Sequence, residues 1–276
     1  MSGLPEYLRG AADLHVHSAP DVVPRRFDDI DLAREAARGG FSVLLLKNHF
    51  VPTMDRAYLA GKIVPEIAVH GGIVLNDSVG GFNVAAVEVA LQLGAREVWM
   101  PTKSAHNHKV REGGHGGLTV FDAHGEIRHH VKEIVILLGH SNAILGTGHL
   151  SPEEGAALIR YAYMQGVRRM VVTHPEWGPT FYSIELQKDL AHYGVMFERC
   201  FVSTTARCGS VPMETILKAV SDVGVDSTVL ASGLGQPDTP PPVEGMTLFA
   251  EQIRAAGFSA DDVRRMMVVN PLHLLE

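Results

Sequence analysis

The chain runs to 276 residues, 46% of them hydrophobic and 20% charged, with a net charge of -7. That composition excludes a disordered chain, and this length buries well over half of the unfolded surface without disulfides or a structural metal. The negative balance and the lack of a basic stripe argue against a nucleic-acid partner, no apolar run of about 18 residues offers a membrane span, and residues 1–10 lack the features of a secretory signal. The expectation is a cytoplasmic protein acting on a small molecule, with Cys200 and Cys208 as free thiols and homo-oligomerisation left open. Fifteen histidines against two tryptophans raise the prior for a metal enzyme.

Eight short apolar runs bounded by turn residues recur in chain order at 11–17, 41–49, 67–75, 97–101, 143–149, 169–174, 195–201 and 227–231. Several lack alternation, as parallel strands buried on both faces do. Between them, 30–38, 84–93, 153–164, 184–192 and 213–223 place apolar residues at helical spacing. Gly39, Gly94, Gly139, Gly166, Gly194, Gly224 and Gly257 are read as the left-handed residue past a helix end. Ser151 to Glu154 combines an N-cap serine, a proline in the first turn and a capping-box glutamate, and Ser259 to Asp262 repeats the idea. The rhythm predicts βαβ units with right-handed crossovers. Eight repeats, with no Gly-rich phosphate loop after the first, favour an α/β fold of the (β/α)8 TIM-barrel type over an open doubly wound sheet. Residues 105–130, rich in Gly and His, break the rhythm. The stretch 118–127 reads as a hairpin turning at 122–125, inserted after strand four on the mouth side. One domain, 1–276, is expected.

In such a barrel the strand C-termini converge on one mouth, so the polar residues that end the runs carry the function. They are His15 and His17, Lys47 and His49, His70, Lys103 with His106 and His108, His149, His174 and Glu198. His15 and His17 stand at i and i+2 of a strand, so both imidazoles can face the axis as nitrogen ligands of one divalent ion. Zinc is the first expectation, with one or two ions, and manganese, nickel or iron as alternatives. Asp13 could orient a ring nitrogen. His129, His130, His140, His192 and His273 read as surface or packing residues, and Cys200 as core. Arg25 or Arg26 could clamp a carboxylate or phosphate. Trp177 and Phe181 could wall a pocket, and residues 237–242 form a stiff loop beside it.

Asp13-Leu-His-Val-His17 on strand one, Gly148-His149 on strand five, Thr173-His174-Pro175 on strand six and the tail Asn270-Pro-Leu-His-Leu-Leu275 together resemble the amidohydrolase superfamily of metal-dependent hydrolases. The resemblance spans nearly the whole chain. It implies that His15 and His17 bind a buried metal. It further implies that His149 and His174 bind a second ion or divide between ligation and substrate polarisation. A bridging carboxylated lysine or glutamate from a middle strand is implied too, with Lys103 fitting best and Lys47 as rival. The resemblance also implies an aspartate after strand eight as ligand and base, but that position holds Gly233. Asp238 or Glu198 could then serve as base, or the chain is an impaired variant.

Hydrolysis of a cyclic amide, lactone or similar ester by metal-activated water is the leading expectation. Phosphoester hydrolysis on the same metal barrel is the runner-up, and decarboxylation a third. A barrel that binds a ligand without turnover is the reading from a different class, with Gly233 as its argument.

Overall fold

The computed structural model describes residues 4–276. Eight strands form one parallel sheet in sequential order: β1 (Ala11–Val16), β2 (Phe41–Leu46), β3 (Ala68–Val74), β4 (Glu97–Trp99), β5 (Ile144–Gly146), β6 (Met170–Thr173), β7 (Met196–Cys200) and β8 (Thr228–Ala231). The sheet curls back on itself just beyond the strand ends. Gly233 N donates to His15 O at 2.7 Å, and His17 N donates to Leu234 O at 2.8 Å. The fold is a (β/α)8 barrel, as the rhythm of the sequence predicts.

The helices are α1 (Asp29–Gly39), α2 (Met54–Ile63), α3 (Val84–Gln92), α4 (His106–Arg111), α5 (His129–Gly139), α6 (Pro152–Met164), α7 (Ile184–Ala191), α8 (Met213–Val223), α9 (Pro242–Ala255), α10 (Ala260–Arg264) and α11 (Asn270–Leu275). The capping boxes at Ser151 and Ser259 both form. Two glycine assignments change. The left-handed residue after α1 is Gly40, with φ +94°, while Gly39 lies inside the helix. Gly139 is likewise helical, and a Cβ there would sit 2.5 Å from Gln165 O, so the glycine admits a close backbone approach rather than ending the helix. Residue 242 leaves the predicted loop and starts α9, where a proline loses no hydrogen bond.

Core residues fall into two outer arcs and one axial layer. One arc packs Val16, Leu44 and Leu46 against α1 and α9, and the other packs Ile73, Val98 and Leu145 against α3, α5 and α6. Inside the barrel, Leu14, Val43, Leu45, Trp99 and Val229 fill the axis, with Leu274 of α11 in the same layer. A filled axis leaves chemistry only at the open end. Strand β1 is irregular between Asp13 and Val16. Leu14 points to the axis while Val16 packs outward, and this change of phase lets His15 line the mouth as well.

In the predicted insertion, α4 is followed by a small hairpin. Phe121 and Ile127 pair antiparallel, and the turn closes with Gly125 N donating to Asp122 O at 3.2 Å.

Candidate metal centre

His15 ends inside β1 and His17 stands just past it, both held by the backbone bonds to residues 233–234 that close the barrel. Asp13 serves that closure rather than an imidazole: its Oδ1 accepts from Ser232 N at 2.9 Å and from His15 N at 3.2 Å. Burial pushes its carboxyl up to about 6. The ring of His15 is oriented instead by Glu198 of β7, whose Oε2 lies 2.8 Å from Nδ1. His17 Nδ1 donates to Lys47 O at 2.8 Å. With both Nδ1 atoms so occupied, each ring turns its Nε2 lone pair away from the protein anchor, the usual arrangement of a ligating histidine.

Three further histidines complete a closed circuit. Ring centroids are separated by 5.3 Å from His15 to His17, 5.0 Å from His17 to His49 and 6.0 Å from His49 to His149. The circuit returns through 5.9 Å from His149 to His174 and 4.8 Å from His174 to His15. His49 Nδ1 is 2.8 Å from Thr102 Oγ1, and His149 Nδ1 is 3.1 Å from His108 Nδ1. His174 has φ +52°, an uncommon left-handed conformation, and its buried Nδ1 has no partner. Burial, first of all causes, holds all five imidazoles well below their ordinary pKa. They are therefore neutral at pH 7, the form that ligates metal.

The two lysines separate clearly. Lys47 is fully buried just beyond β2, its Nζ unpartnered and 4.8 Å from the centroid of the Trp99 ring. Burial lowers its pKa, while Glu198 and Glu97 act the other way. Lys103 lies on the rim, 45% exposed, 3.1 Å from His108 Nε2 and 3.5 Å from Glu112 Oε1. Lys47 thus lies inside the barrel wall and outside the cavity lining, whereas Lys103, the first expectation, lines the cavity at its rim. Cys200 is buried as expected, yet its Sγ is 3.5 Å from His15 Nδ1. One donor atom each from His15, His174 and Cys200 lie within 4.8 Å of one another. Neutral imidazoles, a thiol and a buried unpaired amine form a donor set that fits a divalent transition metal.

Above the circuit opens a cavity of about 540 Å³. Trp177 walls it, with centroids 5.0 Å from His149 and 5.7 Å from His174, whereas Phe181 is 54% exposed and is not part of the lining. Arg25 lines the cavity with its Nε on Asp21 Oδ2 at 2.7 Å. Arg26 points elsewhere, donating to Pro237 O and Thr239 O at 2.6 Å and so pinning the loop after β8. Asp238 lines the rim but pairs with Arg207 at 2.8 Å. Gly233 lines the wall and offers no donor. His70 and His106 lie outside the lining, and the five histidines read as surface residues are all exposed.

Sequence reasoning left two contributors without a role. His108 of α4 is buried against His149, and Asn107 Nδ2 ties the same helix to His149 O and Pro179 O at 3.1 and 2.6 Å. The sequence signal for this helix was the pair His106 and His108 flanking Asn107 after strand four. Arg199 of β7 is fully buried, 3.5 Å from Glu176 and 3.0 Å from Gln187 Oε1, bracing the segment that carries His174 and Trp177. Nothing in its sequence context marks it.

The model of a family described as a family of unknown function, DUF6282, matches residues 10–198, which include all five circuit histidines, Lys47 and Glu198. No curated protein matches the sequence. Solved structures do match in fold. An amidohydrolase from Pseudomonas aeruginosa is 13% identical with a TM-score of 0.64, over 96% of this chain and 95% of that one. An organophosphorus hydrolase from Deinococcus radiodurans is 12% identical with a TM-score of 0.64, over 97% and 93%. A dipeptidase described as a metallo-peptidase is 13% identical with a TM-score of 0.62, over 97% and 98%. At these identities the likeness is one of fold. No helix among the described residues is long and apolar enough to cross a membrane.

Proposed function

The chain belongs to the family of unknown function DUF6282, and within it we propose that it is a metal-dependent hydrolase of small molecules, acting on a cyclic amide, a lactone or a similar ester. The observation that carries this reading is the closed circuit of five neutral histidines at the barrel mouth, four of them buried and His49 half-buried, two of them with Nδ1 already anchored. Solved structures of the same fold bear the names amidohydrolase, organophosphorus hydrolase and dipeptidase, which supports the reaction class.

His15, His17, His149 and His174 would hold the ion or ions, with His49 beside them and Lys47 rather than Lys103 beneath. Zinc is the metal proposed, since imidazole nitrogen suits it. When bound, such an ion supplies a Lewis acid that polarises the scissile carbonyl and lowers the pKa of water. Glu198 fixes the tautomer and orientation of His15, and the carbonyl of Lys47 does the same for His17. Trp177 excludes water from one side of the reacting group. Because Glu198 is committed to His15, Asp238 is the carboxylate proposed to take the proton of the attacking water and return it to the leaving group. Arg207 holds it at the rim.

Gly233 favours a second reading, a metal-bearing barrel that binds its ligand without turnover. Elemental analysis of metal-replete protein, beside a His15→Ala/His17→Ala double variant, tests the centre. One or two equivalents of a transition metal in the wild type, lost in the variant, are expected. A panel of lactones, cyclic amides and phosphotriesters then tests turnover. A chain that holds no metal sinks the hydrolase and leaves a metal-free ligand-binding barrel, and a loaded chain inert across the panel leaves the metal-bearing one.

A further inference from the structure

The wall of the mouth cavity holds a guanidinium that the protein only half uses. Arg25 lies in the segment after β1, its side chain 3% exposed and that of its partner Asp21 fully buried. Nε donates to Asp21 Oδ2 at 2.7 Å, and neither Nη1 nor Nη2 donates to any acceptor among the described residues. A surface arginine would leave those donors to water. Here they belong to a buried side chain that lines the same cavity as His15 and His17.

The orientation narrows what can bind. With Nε taken, the group presents its end-on pair, two parallel N–H donors in one plane, which match the two oxygens of a carboxylate. The other cations of the cavity wall are already matched. Lys103 faces Glu112 at 3.5 Å, and Arg207 faces Asp238 at 2.8 Å. With Asp21 behind Arg25, the side chains of the lining carry no unmatched positive charge, so a second negative charge on the ligand finds no further side-chain partner beside Arg25. It offers directed donors to a monoanion, beside the apolar surfaces of Val23, Phe50 and Trp177.

We propose that Arg25 is a specificity-determining residue that grips a carboxylate on the substrate through Nη1 and Nη2, so that the molecule acted on is a carboxylic acid with an apolar body. Calling the bound molecule a substrate rests on the hydrolase reading; the binding itself does not. Asp21 is a positioning residue that turns the guanidinium end-on.

The test is calorimetric titration of the metal-loaded protein with benzoate and with N-benzoylglycine, each against its neutral amide, and with phenyl phosphate. Wild type is expected to bind the acids tighter than the amides by about tenfold to a hundredfold, the worth of a charge-assisted hydrogen bond. In Arg25→Gln that gap closes, and in Arg25→Lys, which keeps the charge and loses the fork, only part of it survives. Equal affinities for acid and amide in the wild type, or no binding of either acid at tens of millimolar, overturn the proposal. So does a gap unchanged in Arg25→Gln, which would put the carboxylate on the metal, or binding of phenyl phosphate that is tighter than that of either acid and is lost in Arg25→Gln. If Arg25→Gln fails to fold with Asp21 unpaired, the wild-type ratio and Arg25→Lys still decide. Acid binding through Arg25 without turnover would keep this inference and lose the hydrolase. Turnover indifferent to acid or amide would do the reverse.

Discussion

Gly233 stands where the resemblance implies an aspartate, and its backbone explains why none fits there unaided. Its φ is +63°, and a Cβ would come 2.5 Å from Val202 Cγ1 and 3.1 Å from Cys200 Cβ. The glycine is required by the turn that bonds to His15 O and closes the barrel. Left-handed strain and overpacking together should make Gly233→Asp unfold at lower urea, by about 2–5 kcal/mol, with no gain in hydrolysis. An aspartate variant as stable as the wild type and newly active would mean that a catalytic carboxylate was simply missing. At this scale the sequence was legible where chemistry and position coincide. His15, His17, His49, His149 and His174 all end strands, and all meet. It was illegible where a contact depends on a loop coming back: neither lysine shows in its sequence that the barrel wall covers Lys47 and leaves Lys103 at the rim, and His108 reaches His149 only because α4 folds over the mouth.

Among the elements, the helical ranges read from apolar spacing missed α2, α5 and α9, although α5 buries Val131, Ile134, Val135 and Leu138 and α9 buries Val243, Met246, Phe249 and Ile253 at helical spacing. Helix α2 buries Met54, Ala57 and Ala60 but exposes Tyr58, Leu59 and Ile63, so large apolar residues fall outside the buried stripe and its period is blurred. The irregularity in β1 is equally silent, since Leu14, His15 and Val16 give no sign of where the strand changes phase. Gly39 shows how a correct residue was given the wrong reason. It sits within α1, and a Cβ there would lie 2.7 Å from Val243 Cγ1 of α9. The glycine lets two helices approach. Gly39→Ala should therefore destabilise by about 1–3 kcal/mol, the range for overpacking. Val243→Ala in the same chain should recover part of that loss, because it clears the clash. A double variant that is merely the sum of its parts in urea titration would show that α1 and α9 are not coupled through this contact.

For the whole molecule, the buried mouth sets two groups of titrating residues against each other. The five circuit imidazoles have folded pKa values well below the ordinary 6.5. As pH falls through about 6.5 the unfolded chain takes up their protons first, and each removes stability at up to about 1.4 kcal/mol per pH unit. Buried carboxyls act in the opposite sense. Asp13 is raised to about 6, Glu35 to about 7, and Glu97, Glu176 and Glu198 are also raised, all chiefly by burial. Each of these holds a proton in the folded chain that the unfolded chain lacks, so each gains stability as pH falls, until the unfolded carboxyls titrate near 4. His70 and His108 are lowered as well, so seven imidazoles oppose five carboxyls. The urea midpoint of metal-free protein should fall as pH drops below about 6.5, but less steeply than the imidazoles alone would make it. A midpoint that falls as steeply as unopposed imidazoles require would mean that the buried carboxyls are ionised in the folded chain. In that case Lys47, Glu97 and Glu198 form a charged cluster beneath the histidines rather than a largely protonated one.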